Sequence, residues 1–261
     1  MREEDFMGAV IIDKEKCVGC GQCAADCVAG YLYVENGKAE LKSVGCIGCG
    51  HCYAVCPTGA VSIEGMETDN GELHDMSELD SKLLLQAMKS RRSIRRFKLQ
   101  EVEKEKLDML LEAGRYCPTA ANAQDVAFTV LGSRQSEIEA LCVKLFRKGK
   151  SLAASAYAAA ANMEIDDNFF FKGAPLVIVV SAKNAGNANL ASSYMELMAA
   201  SLGLGVLYSG FFVICTKLSA RLRGMLALPK GHKAVTCMVI GYPDVKYCRI
   251  PGRKPVKVNT L

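Results

Sequence analysis

CVGCGQCAADC, residues 17–27, and CIGCGHCYAVCP, residues 46–57, decide how the first quarter of this chain folds. Each runs C-x2-C-x2-C-x3-C: Cys17, Cys20, Cys23 and Cys27, then Cys46, Cys49, Cys52 and Cys56, the second set repeating the first at an offset of 29. A fixed offset marks one structural unit used twice. Small residues at Gly19, Gly21, Gly48 and Gly50 let the backbone curl tightly and aim N–H groups inward. Three thiolates at i, i+3 and i+6 on such a loop grip three corners of an iron–sulfur cubane, and the next helical turn carries the fourth to a neighbouring cluster. The spacing therefore predicts two 4Fe–4S sites, one held by Cys17, Cys20, Cys23 and Cys56, the other by Cys46, Cys49, Cys52 and Cys27. Structural zinc is the competing reading, but its cysteine pairs usually stand a dozen or more residues apart. His51, inside the second loop, reads as a loop side chain because four thiolates already complete the site.

Outward from these loops, the 261 residues are 50% apolar and 23% charged, the balance of a globular chain with a substantial core. Eight of the 13 cysteines fall between Cys17 and Cys56. The start, MREEDFMGAVIID, is acidic with a short apolar run and does not read as a secretory signal. No run of about 18 apolar residues predicts a membrane-spanning helix. The expectation is a cytoplasmic protein with reduced cysteines, not a disulfide framework. Net charge is +4, too modest to argue for nucleic acid. Its distribution is uneven: residues 1–65 carry 5 Lys/Arg and 9 Asp/Glu, the remainder 27 and 19.

After Ile63 the stretch EGMETDNGELHDM reads as a linker. Ser77 can cap a helix over 78–90 with Leu79, Leu83, Leu84 and Met88 on one side. A second helix fits 101–115, with Leu107, Leu110 and Leu111. VAFTVLG (126–132), APLVIVVSA (174–182) and KAVTCMVIGYP (233–243) are apolar β-branched runs, read as strands buried on both faces. Helical patterns fall at 135–147, 151–163, 187–203 and 216–227. Strands alternating with covering helices predict a layered α/β or α+β domain of about 185 residues.

No G-x-G-x-x-G follows a strand, and the GKS of residues 149–151 lacks the upstream glycine of a P-loop. Neither H-E-x-x-H nor G-x-S-x-G is present. His74 and His232 lack partners at ligand spacing. What remains suits a phosphorylated flavin. If the segment is extended, Arg91, Ser93 and Arg95 share one side and could hold a phosphate and a pyrimidine carbonyl; the plainer reading is a solvated basic patch. The run CPTAANAQ, residues 117–124, carries amides able to pair with a flavin's uracil-like edge, though it is also a common turn. The remaining cysteines, Cys117, Cys142, Cys215, Cys237 and Cys248, read as small hydrophobes by default, with Cys117 the one to test for reactivity.

Residues 8–66 resemble the bacterial two-cluster ferredoxins, down to the closing C-P of the second copy; the first copy departs with Val28. Residues 78–261 resemble the nitroreductase family of flavin enzymes. RRSIRRF, PTAANAQ, GAPLVIVV, YMELMAASLGLG and the closing GYP and PGRKP occur in family order. The resemblance implies an α+β architecture. It comprises a three-layer α/β/α nitroreductase-like domain over 78–261, a small ferredoxin-like iron–sulfur domain over 1–66, and a linker at 67–77. It also implies a homodimer with FMN at the subunit interface. Carried over by position, Arg91, Arg92, Arg253 and Lys254 would serve the phosphate and Arg95 the flavin N1/O2 edge. Ser93 would sit by the ribityl and pyrimidine end. Pro118, Thr119, Asn122 and Gln124 would form a second flavin loop, and Ser209 and Gly210 would lie near N5. The family often continues its Asn-x-Gln loop with Pro-Trp; here Asp125 and Val126 stand, and the chain has no Trp. Phe169, Phe170, Phe171, Phe211 and Phe212 could line the pocket above the flavin or pack the core.

These features imply an FMN oxidoreductase in which two 4Fe–4S clusters supply electrons for a small organic acceptor, a nitroaromatic, quinone or activated alkene, with no dedicated catalytic acid. An external ferredoxin-like carrier or NAD(P)H would be the donor. Two alternatives stand beside it: a relay or redox-sensing module serving a protein partner, and specialised chemistry such as reductive dehalogenation or flavin fragmentation.

Overall fold

The structure, a computed structural model, describes residues 9–43, 45–66, 76–156 and 164–261, with the backbone alone at Met76 and over 149–156. Most of the expected linker, the first residues of the chain, His74 and the end of the 151–163 helical pattern lie outside the described residues. The chain divides into two compact units, Met1–Asp75 with Ala120–Ala123, and Met76–Thr119 with Gln124–Leu261.

The first unit builds the repeat twice. Strand β1 (Val10–Ile12), helix α1 (Gln22–Ala25) and strand β2 (Leu32–Glu35) are followed by β3 (Lys38–Leu41), α2 (His51–Ala54) and β4 (Val61–Ile63). The strands pair antiparallel as β1–β4 and β2–β3, so one ladder joins the two ends of the repeat and the other its middle. Both short helices start from a left-handed glycine, Gly21 at φ 77° and Gly50 at φ 78°. A side chain rarely tolerates that conformation, which is why both loops carry glycine there. Val10, Leu32, Ala39, Val61 and Ile63 form a small core together with Cys17, Cys23 and Cys52.

The second unit opens with α3 (Ser81–Ser90) and α4 (Lys104–Arg115). The cap of α3 is Asp80, not Ser77: its Oδ1 accepts from Lys82 N at 2.9 Å and Leu83 N at 3.1 Å, and a carboxylate serves the helix N-terminus better than a hydroxyl. Strand β5 (Ala127–Val130), helix α5 (Gln135–Ala156), strand β6 (Leu176–Ala182) and helix α6 (Ala185–Ser201) follow. Then come β7 (Gly205–Tyr208), α7 (Gly210–Leu218), α8 (Ala220–Leu226) and β8 (Lys233–Gly241). The helical patterns expected at 135–147 and 151–163 run together through α5, and the one expected at 216–227 is broken into α7 and α8 at Ser219, whose side chain caps α8.

The sheet order is β5-β6-β8-β7 and every pairing is antiparallel. β6 and β8 are central, which accounts for their apolar runs. Alternation along them splits the core in two. Val177, Val179, Cys237 and Val239 face α5, α7 and α8 with Phe170, Phe171 and Phe212; Ile178, Val180, Met238 and Ile240 face Leu110 of α4 and Ala188, Ala191 and Met195 of α6. This is the layered domain expected from the pattern, with the three layers that the resemblance implies. Beyond β7 the segment 91–97 lies extended: Ser93 bridges Val206 in parallel sense, Phe97 bridges Pro243, and Ile94 N donates to Val206 O at 3.0 Å. Among the described residues no helix is long and apolar enough to cross a membrane.

Candidate functional site

In the first unit the eight repeat cysteines line two cavities. Cys17, Cys20, Cys23 and Cys56 surround one with about 330 Å³ of space between atoms. Cys46, Cys49, Cys52 and Cys27 surround the other, with about 360 Å³. The fold thus crosses the fourth cysteine of each motif to the other motif's cavity. Among the described residues no three His, Cys, Asp or Glu side chains converge closely enough to hold one metal ion. Four thiols spread around a small cavity suit a cubane, which holds its ligands far wider than a single zinc does.

Backbone N–H groups point at the sulfurs. Tyr31 N donates to Cys27 Sγ and Ala60 N to Cys56 Sγ, both at 3.2 Å, repeating one device at the same place in each copy. Ala39 N reaches Cys17 Sγ at 3.4 Å and Gly48 N reaches Cys46 Sγ at 3.3 Å. At Cys27 and Cys56, burial works against the thiolate, but the backbone donors outweigh it and lower both thiols below their usual value. Burial pushes the Cys52 thiol up to about 11; binding iron there requires its proton to leave. His51 lines the edge of the second cavity, and its Nδ1 lies 3.1 Å from Asp26 Oδ2, so the ring is paired with a carboxylate.

In the second unit a cavity of about 550 Å³ opens at the β7–α7 turn. Arg95, Lys172, Ser209 and Gly210 line it, with Phe169, Phe170 and Phe211 as aromatic wall. No acidic side chain is among these lining residues. Ser209 is buried, its N–H donating to Cys237 O at 2.8 Å, so the turn that presents Gly210 is tied to the central strand. Two cations, aromatic walls and a fixed backbone turn suit a planar heterocycle that gains negative charge. Phe171 and Phe212 pack against each other in the core instead, centroids 5.2 Å apart.

Lys172 escaped the sequence reading. It sits at φ 54° in a turn closed by its N–H to Asn168 O at 2.7 Å, with its Nζ 4.8 Å from the centroid of the Phe169 ring. A lysine after three phenylalanines carries no signal of its own; the left-handed turn aims it. Glu196 was missed too. It receives Arg91 Nη1 at 2.9 Å, and Tyr208 OH lies 3.4 Å from its other oxygen while donating to Ser192 O at 3.0 Å. Burial, with the Glu196 carboxylate beside it, drives the Tyr208 phenol well up.

The extended reading of residues 91–95 holds, but its corollary does not. Arg91 and Arg92 line a separate cavity with Glu196, while Arg95 lines the one above Gly210. The bridge to β7 puts the two ends of the segment against different neighbours. Arg253 and Lys254 are exposed on the coil after β8. In the 117–124 loop, Thr119 Oγ1 accepts from Gln124 N at 3.0 Å. Pro118 and Gln124 are exposed. The Asn122 amide donates, within the first unit, to Gly48 O at 2.8 Å. Cys117 is buried, and burial with the Asp125 charge raises its thiol, the opposite of a reactive cysteine.

Asp125, where the family resemblance shows proline, has a structural purpose. Its Oδ2 accepts from Lys183 N and Asn184 N, each at 3.0 Å, and its Oδ1 from Asn187 Nδ2 at 2.6 Å. Burial opposes its charge, yet these donors prevail and hold the carboxyl below its usual range. The loop is thereby pinned to the start of α6.

Comparison with known proteins agrees with this geometry. A 4Fe-4S dicluster domain model matches residues 9–57. A Methanothermobacter thermautotrophicus protein with the provisional name NADH dehydrogenase/NAD(P)H nitroreductase is 25% identical over 169 residues, 61% of this chain and 77% of the relative. Two solved structures share the fold. The FMN-bound nitroreductase of Desulfitobacterium hafniense has TM-score 0.55 and 20% identity, covering 67% of this chain and 98% of that one. The FMN-bound nitroreductase of Bacteroides fragilis has TM-score 0.52 and 22% identity, covering 68% and 96%. The nitroreductase family model matches residues 88–242, more than half of the chain; this protein, with its N-terminal 4Fe-4S dicluster domain, belongs to the nitroreductase family.

Proposed function

We propose that the chain is an FMN-dependent oxidoreductase that draws electrons through two 4Fe–4S clusters to reduce a small organic acceptor, a nitroaromatic, quinone or activated alkene. The observation carrying this reading is the pair of four-cysteine cavities, each built from three cysteines of one motif and the fourth of the other. When bound, the clusters supply one-electron carriage and the flavin the exchange between one- and two-electron chemistry. The protein's own part is to bind and orient. Eight cysteines hold iron, and backbone N–H groups at Tyr31, Ala39, Gly48 and Ala60 stabilise their thiolates. Arg95 and Lys172 favour negative charge on the ring system, and Ser209 and Gly210 offer it a rigid backbone edge. Ser93, Pro118, Thr119 and Gln124 complete the flavin contacts, and Arg91, Arg92, Arg253 and Lys254 are the phosphate candidates. Phe169, Phe170 and Phe211 give that cavity an apolar wall suited to a flat acceptor, and no side chain is assigned as a catalytic acid.

We assign residues 1–66 to the cluster domain and 78–261 to the flavin domain, joined by 67–77, in a cytoplasmic homodimer. Leu83, Leu85 and Met88 of α3 are exposed in the single chain, as expected of a helix that packs on a second subunit. The donor is an external ferredoxin-like carrier or NAD(P)H. Anaerobic iron and flavin quantification followed by stepwise reduction tests the whole reading. About eight irons and one FMN per chain are expected, with flavin absorbance bleaching as iron–sulfur absorbance does. Iron without flavin, or clusters that reduce while FMN stays oxidised through many turnovers, would overturn it.

A further inference from the structure

We infer that Asn122 is a positioning residue of the site formed by Cys46, Cys49, Cys52 and Cys27, fixing two loop peptides of which one hydrogen-bonds a ligating sulfur, and is not an amide that reads the flavin. This rests on the two-cluster reading above. The Asn122 Nδ2 donates to Gly48 O at 2.8 Å and lies 3.5 Å from Ile47 O. The Ile47 carbonyl and the Gly48 N–H belong to one peptide plane, and that N–H donates to Cys46 Sγ at 3.3 Å. One side-chain amide therefore holds two consecutive peptides of the loop between Cys46 and Cys49, including the one aimed at a ligating sulfur. Ile47, Gly48, Cys46 and Cys49 all line the same cavity.

The backbone around Asn122 is bent to make this possible. Ala121, Asn122 and Gln124 have φ of 51°, 52° and 44°, a left-handed run outside glycine. Ala123 N closes it onto Ala120 O at 3.1 Å. Asparagine is among the few residues that tolerate this conformation, and its short amide then projects from the bend. Residues held in such sparsely populated conformations are kept there by their surroundings, and here the surroundings are those of the cluster unit, to which Ala120–Ala123 belong.

N–H···S hydrogen bonds withdraw charge from ligating sulfurs and raise a cluster's reduction potential. Loosening the Gly48 peptide should shift one cluster and leave the other alone. The test uses the full-length holoprotein and two variants. Asn122→Asp keeps a side chain suited to the left-handed backbone but has no donor, and Asn122→Ala removes the amide altogether. The expected result is a lower midpoint and an altered electron paramagnetic resonance signal for one of the two reduced clusters. Iron per chain and FMN per chain should stay at wild-type values. Loss of FMN with both cluster signals unchanged would overturn the inference and return Asn122 to the flavin. Clusters and flavin that are both unchanged in Asn122→Asp would overturn it as well. Wild-type protein that binds no iron would refute the two-cluster reading itself, a failure distinguishable from either.

Discussion

Gly205 opens β7 where the segment carrying Arg91, Ser93 and Arg95 lies against it, and Gly205→Ala tests whether that contact sets the site. A Cβ built at Gly205 would lie 2.3 Å from Ile94 Cγ1, 3.0 Å from Ile94 Cβ and 3.0 Å from Pro243 Cγ. Carbon atoms separate at about 3.5–4.0 Å, so Ile94 must retreat by more than about 1 Å. Ile94 is 5% exposed and its N–H is held by Val206 O, which restricts its retreat. Overpacking of this kind costs about 1–3 kcal/mol, or about 2–12 °C in melting midpoint for a unit of this size. Because Ile94 stands between Ser93 and Arg95, the same displacement should weaken FMN retention. Thermal melts and flavin released on dilution, read on the same samples, check both parts. A midpoint within about 1 °C of wild type, with FMN retained, would show that the segment is not seated by this contact.

Further outcomes follow from the same structure. Gly224→Ala, within α8, meets nothing within 4 Å and should stabilise by about 0.5–1 kcal/mol in denaturant titration; a loss would mean that α8 is not helical there. Cys56→Ser should remove about four irons and the spectroscopic signature of the cluster shared with Cys17, Cys20 and Cys23, while Cys27→Ser removes the other. If each serine instead abolished the cluster of its own sequence motif, the crossed ligand sets would be wrong. Glu139 is buried and accepts from Phe170 N at 3.0 Å and Phe171 N at 2.8 Å. Burial nonetheless dominates and raises its carboxyl above the usual glutamate value. In the window between the two values the folded state holds the proton that the unfolded chain has released, so stability falls as pH rises through it. Denaturation midpoints across that window should show this decline in wild type and its absence in Glu139→Gln; parallel profiles would assign the pH dependence to another group.

The cysteine loops were legible because the chemistry of a cubane dictates local spacing, and the same four-cysteine spacing recurs 29 residues on. The same holds for β6 and β8, whose apolar β-branched runs announce burial on both faces, and for the order of nitroreductase-like segments. β5 is a strand as expected but lies at the sheet edge and is only half-buried, because among the described residues no further strand covers it. The sequence by itself thus determined the type of site and the layers around it. It could not place Lys172 or Glu196, since a lone lysine or glutamate carries no periodicity and gains meaning only from what it faces. Nor could alternation alone show that Arg91 and Arg95 open on different cavities, because that follows from which strand the segment bridges. Asp125 and Asn122 are neighbours in one loop, yet one holds the start of α6 and the other the Gly48 peptide. Only the tertiary structure decides such partners, because a hydrogen bond between residues 74 apart depends on where the folded backbone brings them and leaves no local trace in the chain.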